Sequence, residues 1–332
     1  MVAPDRQPTL ADVARWAGVS VATASRVLNR SAPVNEDTAA RVERAVADLG
    51  YVRQRSPHLA RGHSGAVSVV VFDDMLRYQR DSFYSRLLVG AERAALRAGR
   101  ELVVSTALRN APRDTLLRYL CGGHVDGVVM VGMPSDGAPA QVVREAGVPV
   151  MCVGRPAVAG LSYVDANNTG GARQAVSYLI SSGRQAIATI AGPSNMIVAD
   201  DRLAGYRSAL AEGGLAPDGI VCRGDFTVDS GEHAMLRLLD RYPALDAVFA
   251  ASDLMAFGAL RGLRRLGVRV PDQVAVVGFD DGTLARHTMP RLTTVRQPVE
   301  EMGARAVAEL LVADESCRAT VLKTSLVLRE SA

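Results

Sequence analysis

The sequence predicts an α/β chain in two parts: an N-terminal three-helix helix-turn-helix headpiece and a two-lobed core of doubly wound parallel sheets. Three observations carry this. Residues 9 to 64 hold short helical patterns with a glycine at the first bend. From Ala66 onward, apolar runs of strand length alternate with helical segments, which implies parallel sheets covered on both faces. At 332 residues the chain is too long for one ordinary core, so two or three domains are expected.

The first helix opens at Thr9, a cap residue with Asp12 three positions on to complete a capping box. Leu10, Val13, Ala14 and Ala17 then share one face. Gly18 ends the helix, because a residue without Cβ takes a left-handed conformation cheaply. Ser20 caps the second helix, which turns Ala24, Val27 and Leu28 inward and Val21, Ala22, Ser25 and Arg26 outward. Asn35, followed by Glu36 and Asp37, opens a third helix carrying Val42, Val46 and Leu49. Helices this short around a glycine bend place the second one in a major groove.

In the body, a first set of strands is expected at 67–72, 101–106, 127–131 and 148–153, with helices near 82–98, 112–121 and 138–146. A second set follows at 186–191, 220–222, 247–250 and 274–279, with helices near 169–182, 202–212, 231–241 and 254–266. Two such sets imply two lobes, with a ligand crevice at the carboxyl ends of their strands.

Charge agrees with a nucleic-acid partner. Residues 1–64 hold nine arginines against six acids, whereas the rest balances at 29 against 29, so the whole net charge of +3 lies in the headpiece. Its outward recognition face is small and polar with one arginine, suited to base edges. No stretch approaches the ~20 apolar residues of a membrane span, and Met1–Arg6 lacks an apolar leader core, so a cytoplasmic protein is expected. Cys121, Cys152, Cys222 and Cys317 lie far apart and read as reduced thiols. No enzyme, cofactor or metal is expected. There is no Gly-x-Ser-x-Gly elbow, no phosphate loop and no Gly-x-Gly-x-x-Gly after the first strand, and the five histidines are scattered.

Residues 9–64 resemble the headpiece of the lac-repressor (LacI/GalR) family, with T-x-x-D-V-A-x-x-A-G-V-S, S-R-V-L-N and a closing L-G-Y. The likeness continues through Asp201–Tyr206, Ala251–Gly258, Pro271–Asp281 and Leu292–Val295, in the family's order. It implies a periplasmic-binding-protein-like core, crossed between lobes near residues 163, 293 and 322. The expected organisation is a headpiece over 1–64 with its hinge at about 52–64, then a core over 65–332. The first lobe would span about 65–163 and 294–322, including a helix near 298–313, and the second about 164–293 and 323–332. The implied function is a homodimeric repressor on a pseudo-palindromic operator in double-stranded DNA, released or recruited by a small effector. A sugar or sugar derivative is the expected effector, ahead of a nucleoside or purine. The runner-up is a solute-binding protein of the same fold without specific operator binding. The terminal Lys323–Ala332 stretch is strand-like with no heptad of leucines after it, so a dimer is expected to be the final state.

On the DNA side, Val21 and Ala22 reach thymine methyls, and Arg26 reaches guanine O6 and N7 with two bonds, worth roughly 1–3 kcal/mol of discrimination. Ser20, Thr23, Ser25 and Asn29 are the phosphate-facing candidates, and Thr9, the cap of the first helix, is a further DNA-binding candidate; Thr23 and Asn29 serve equally well as residues that cap or turn the helix. The hinge departs from the family, with Arg53-Gln54 in place of Pro-Asn and Pro57 inside the expected helix, so any hinge helix is short. Leu59 is the candidate minor-groove wedge and Arg55 a phosphate contact. On the effector side, the resemblance assigns Arg202 as the clamp, Asp280 as the acceptor, and Phe83 and Phe226 as flat apolar faces. Asp73 and Asn167 add polar contacts, and Ser252 stands where sugar responders often carry asparagine. Asp253 is expected to cap the helix it precedes.

Overall fold

Local capping sets the frame of the headpiece in the computed structural model, which describes residues 9–29, 34–49, 64–73, 79, 81–108, 113–133, 137–312 and 317–332. The chain divides into two compact units, Met1–Ala60 and Arg61–Ala332. In the first, α1 (Leu10–Ala17), α2 (Val21–Asn29) and α3 (Glu36–Leu49) enclose a small core of Val13, Ala14, Ala17, Ala24, Val42 and Ala45. Thr9 and Asp12 form the expected capping box, and Gly18 takes φ 64°. The backbone N–H of Asp37 donates to the Asn35 side chain at 2.9 Å, opening α3.

The second unit runs β1 (Ala66–Val71), α4 (Ser82–Arg97), β2 (Glu101–Thr106), α5 (Asp114–Cys121), β3 (Gly127–Val131), α6 (Ala138–Glu145), β4 (Val150–Val153) and β5 (Ser162–Ala166). It continues through α7 (Asn168–Ser181), β6 (Ile187–Ala191), α8 (Ile197–Glu212), β7 (Ile220–Arg223), α9 (Val228–Arg241), β8 (Ala247–Ala250), α10 (Asp253–Arg265) and β9 (Ala275–Asp280). After a 3-10 turn at Thr283–Arg286 come β10 (Thr293–Arg296), α11 (Val299–Leu311), β11 (Ala319–Leu322) and β12 (Ser325–Val327).

These strands build two six-stranded sheets, ordered β11-β5-β4-β3-β1-β2 and β12-β10-β9-β8-β6-β7. All pairings are parallel except β10 with β12. Central strands such as β3 and β8 are apolar and buried along their whole length, whereas the edge strands β2, β7 and β11 each carry exposed residues and none that is fully buried. Each sheet carries an apolar cluster on both faces. The first includes Val299, Met302, Ala306 and Leu310 of α11, so this late helix packs with α4 against the first sheet. Glycines permit that packing: a Cβ at Gly90 would collide with the carbonyl oxygen of Glu300, and one at Gly303 with that of Leu87.

The first sheet continues to Ala166, beyond residue 163, and the second to Arg296, beyond residue 293. The strands β5 and β10 are short and carry Ser162, Asp165, Thr293 and Thr294, so they lack the continuous apolar run that marks β3 and β8. Among the described residues no helix is long and apolar enough to cross a membrane, and the four cysteines are free.

Candidate nucleic-acid interface and effector cavity

On the headpiece, α2 presents one exposed side. Val21 is 49% exposed, Ala22 and Arg26 are exposed, and Thr23 and Ser25 are half-buried. Arg26 makes no ion pair among the described residues, so its guanidinium is free for a partner. Ser20 caps the helix by accepting the backbone N–H of Thr23 at 3.1 Å, and the two hydroxyls lie 2.8 Å apart. The same pair therefore both starts the helix and offers hydroxyls at its positive end, where anions are favoured. Asn29 closes α2. Arg55 and Leu59 lie outside the described residues.

In the second unit a cavity of about 560 Å³ opens at the carboxyl ends of the strands of both sheets, where open parallel sheets bind ligands. Each contributing side chain follows a strand end or a helix start. Asp73 follows β1 and accepts the Tyr84 hydroxyl at 2.8 Å. Asp81 caps α4 by accepting the N–H of Phe83 at 2.9 Å, which places the Phe83 ring on the cavity wall. Phe226 lines the opposite lobe at φ 67°, and only a residue without Cβ at Gly192 leaves room for its ring.

A relay of hydrogen bonds crosses the floor. The Asn168 amide donates to Asp165 at 3.0 Å and accepts from Arg202 Nε at 2.9 Å. Arg202 Nη1 donates to the Ala251 carbonyl at 2.6 Å and reaches Asp280 Oδ1 at 3.4 Å. The Gln297 amide donates to the same Asp280 oxygen at 2.5 Å. Arg202 also stacks on the Phe279 ring, 3.8 Å from its centroid. Loss of solvation works against the charges of this floor and against their neighbours Asp81 and Asp253. It lowers Arg202 and raises Asp81, Asp165 and Asp253 from their ordinary values, and it pushes Asp280 up to about 7. Asp281 behaves differently: burial acts to raise it, but hydrogen bonds from Arg329 and Arg296 outweigh that and hold it low. An apolar wall with a few convergent polar groups fits a small polar ligand carrying a flat face.

Comparison with known proteins finds a match in each of the two units. The bacterial regulatory proteins of the lacI family match over residues 9–54, and the periplasmic binding protein-like domain over residues 176–332. The HTH-type transcriptional regulator CelR of Thermobifida fusca is 45% identical over 336 residues, covering 98% of each chain. The chain belongs to the lacI family of bacterial regulatory proteins. Among solved structures, a CelR–cellobiose complex shares 43% identity with a TM-score of 0.78, covering 98% of this chain and 100% of that one. A lac repressor dimer bound to operator and the anti-inducer ONPF shares 29% identity with a TM-score of 0.72, covering 98% and 99%. As a member of this family the protein is a DNA-binding transcriptional repressor under effector control and not an enzyme.

In this lacI-family regulator the cavity gathers Asp73, Phe83, Arg202, Phe226, Ser252 and Asp280 from the sequence-derived set. Asn167 is not among them. It is exposed and caps α7 by accepting the N–H of Gly170 at 2.9 Å, and its neighbour Asn168 faces Arg202 instead. The cap of α10 also shifts by one residue. Ser252 accepts the N–H of Met255, which leaves the Asp253 carboxylate to hold Gly282 N–H at 2.8 Å and the Thr294 hydroxyl at 2.5 Å. Arg202 sits in the second turn of α8 rather than at its start, because the helix begins at Ile197 without a side-chain cap to mark it. Sequence reasoning missed Asp81, Asp165, Asn168 and Gln297. Asp81, in front of a helical run, carried an ordinary N-cap signal; Gln297 carried none.

Proposed function

We propose that this repressor acts in the cytoplasm as a homodimer on an inverted-repeat operator, and that its effector is a β-linked glucose disaccharide of the cellobiose type. The likeness to the cellobiose-bound CelR structure, which spans 98% of the chain, is the observation that carries the effector class. The cavity suits it chemically. Arg202 and Asp280 offer a forked donor set beside an acceptor for neighbouring hydroxyls, and Phe83 and Phe226 offer flat apolar faces for pyranose rings. Effector binding between the lobes shifts their relative populations and thereby the state of the headpieces.

Dimerisation draws support from the open edge of the first lobe. Val89 and Leu96 of α4, Val104 of the edge strand β2, and Leu108 after it are all exposed. A two-fold dimer presents two recognition helices to matching half-sites, and the family resemblance adds a central C-G step. A pyrimidine–purine step unstacks readily for a side-chain wedge, the role given to Leu59.

The test is anisotropy of labelled operator DNA, selected by this protein from a random pool, titrated with and without cellobiose, ribose and adenosine. Cellobiose is expected to change operator affinity by 5- to 150-fold, the range of a ~1–3 kcal/mol coupling. Selected sites without dyad symmetry would refute the dimer model. Cellobiose binding without any change in DNA affinity would refute the effector role and favour a solute-binding protein.

A further inference from the structure

Arg86, one turn inside α4, spans both lobes. On its own side Nε and Nη2 donate to the two carboxylate oxygens of Glu300, at 2.8 and 2.9 Å. Glu300 stands in the first turn of α11, which packs with α4 against the first sheet. On the other side Nη1 donates to the carbonyls of Asp280 and Asp281 at 3.1 and 3.3 Å, at the end of β9 in the second sheet. Nη2 also reaches the Gln297 carbonyl at 3.4 Å, in the segment that crosses between the sheets.

The backbone that Arg86 grips is unusual. Asp280 and Asp281 take φ 119° and 48°, and Phe226 is the only other non-glycine residue at positive φ among those described. Such a conformation persists only where surrounding contacts over-determine it. Here it aims the Asp280 carboxylate into the cavity, toward Arg202 and Gln297. The side chains of the two aspartates are held by other partners, Asp281 by Arg296 and Arg329 at 2.7 and 2.5 Å. Arg86 holds their carbonyls, and it does so from the opposite lobe. Glu300 fixes the guanidinium plane with a two-pronged contact. The glycine contacts at Gly90 and Gly303 leave the α4–α11 pair no slack to absorb a displacement.

We propose that Arg86 is the positioning residue that couples the effector site to lobe geometry, by tying the strained turn carrying Asp280 to the α4–α11 pair of the first lobe. A change at Asp280 on effector binding then moves the first lobe rather than only its own strand. A pair that merely stabilised the first lobe would need Glu300 and no contact with the second lobe. The inference rests on the effector-switch reading in its second test only.

The first test uses ligand-free, full-length protein and hydrogen-exchange mass spectrometry. In Arg86→Met, which keeps the stem and removes the donors, amides of residues 280–284 are expected to exchange roughly tenfold faster or more, with β1, β3 and β8 unchanged. Arg86→Lys keeps a charge beside Glu300 but lacks the fork, so it is expected to give the same pattern and stands in if Arg86→Met does not fold. Unchanged exchange at 280–284, or a rise spread evenly over the first sheet, overturns the proposal. The second test measures operator affinity with and without saturating cellobiose. Arg86→Met is expected to bring that ratio close to one even at saturation, and a wild-type ratio overturns the proposal. Should the wild-type protein not bind cellobiose, the disaccharide assignment falls and the exchange result alone decides on Arg86.

Discussion

Arg202 Nη1 stands 3.4 Å from Asp280 Oδ1, across the floor of the cavity between the two sheets. The contact is long for an ion pair, and Gln297 shares the same oxygen at 2.5 Å. Arg202 Nη2 and Asp280 Oδ2 make no hydrogen bond among the described residues, which leaves a donor and an acceptor on two residues that already meet through Nη1 and Oδ1. Neighbouring hydroxyls of a sugar match that pair.

Arg202→Ala is therefore expected to abolish the effect of cellobiose on operator binding while leaving effector-free operator affinity within a few-fold, where the effector causes release. Its loss also strips Asn168 and Asp280 of a partner, and an unpaired buried polar group costs about 1–3 kcal/mol. Operator titrations with and without cellobiose, alongside a melting curve, separate the two effects. A variant that still responds to cellobiose would remove Arg202 from the effector site.

Asp280 is expected to make the response depend on pH. Burial pushes its carboxyl up to about 7, so it is largely protonated at pH 6 and ionised at pH 8. The ionised form is the one that can accept two hydroxyls and pair with Arg202, so effector binding is expected to pull its pKa down and affinity to rise from pH 6 to 8. Folding carries the opposite sign. The folded pKa exceeds the ordinary carboxylate value, so the cost of this ionised group to stability grows as pH rises from about 4 to 7 and is constant above. Calorimetric titration of cellobiose across pH 6–8 checks the first point, with Asp280→Asn expected to flatten the profile. Affinity that falls with rising pH would mean that a protonated Asp280 donates to the ligand.

How far this site could be read in advance depended on the kind of signal. Headpiece caps were legible because Thr9, Asp12, Gly18 and Ser20 act within a few residues of themselves. Inner strands were legible because burial on both faces demands continuous apolar runs. Asp73, Phe83, Arg202, Phe226 and Asp280 followed from strand ends and from the family pattern. What stayed hidden is non-local. Gln297 meets Asp280 and Arg86 meets Glu300 only after the chain has crossed between sheets, across 17 and 214 positions respectively. The Asn167–Asn168 choice turned on a single residue of helix phase, finer than periodicity resolves.

Two glycines in the first lobe separate packing from backbone strain. Gly90 lies where α4 meets α11, and a Cβ there would collide with backbone at Glu300, which cannot rotate away. Gly99 has open space around it but takes φ 64°. Gly90→Ala is expected to lower stability by about 3 kcal/mol or more, as overpacking against backbone does. Gly99→Ala is expected to cost about 1 kcal/mol, the penalty for a left-handed non-glycine residue. Chemical denaturation measures both. Equal losses would show that the two helices separate readily, and the rigid α4–α11 pair would then be wrong.

Arg26 and Arg55 test the division of labour on DNA. Arg26 projects from the exposed side of α2, one turn beyond Val21 and Ala22, with no ion pair among the described residues to hold it back. A bidentate contact to guanine from that position reads sequence, so Arg26→Ala is expected to weaken the cognate operator by about 1–3 kcal/mol and random duplex much less. Arg55, in the hinge outside the described residues, is assigned to phosphate, which carries no base identity. Arg55→Ala is therefore expected to weaken both duplexes alike and to reduce the log–log salt slope by about one. Salt titrations on the selected operator and on a scrambled duplex give both numbers for both variants. An identical ratio of specific to non-specific binding in the two variants would reassign Arg26 to the phosphate backbone and leave sequence reading to the thymine contacts of Val21 and Ala22.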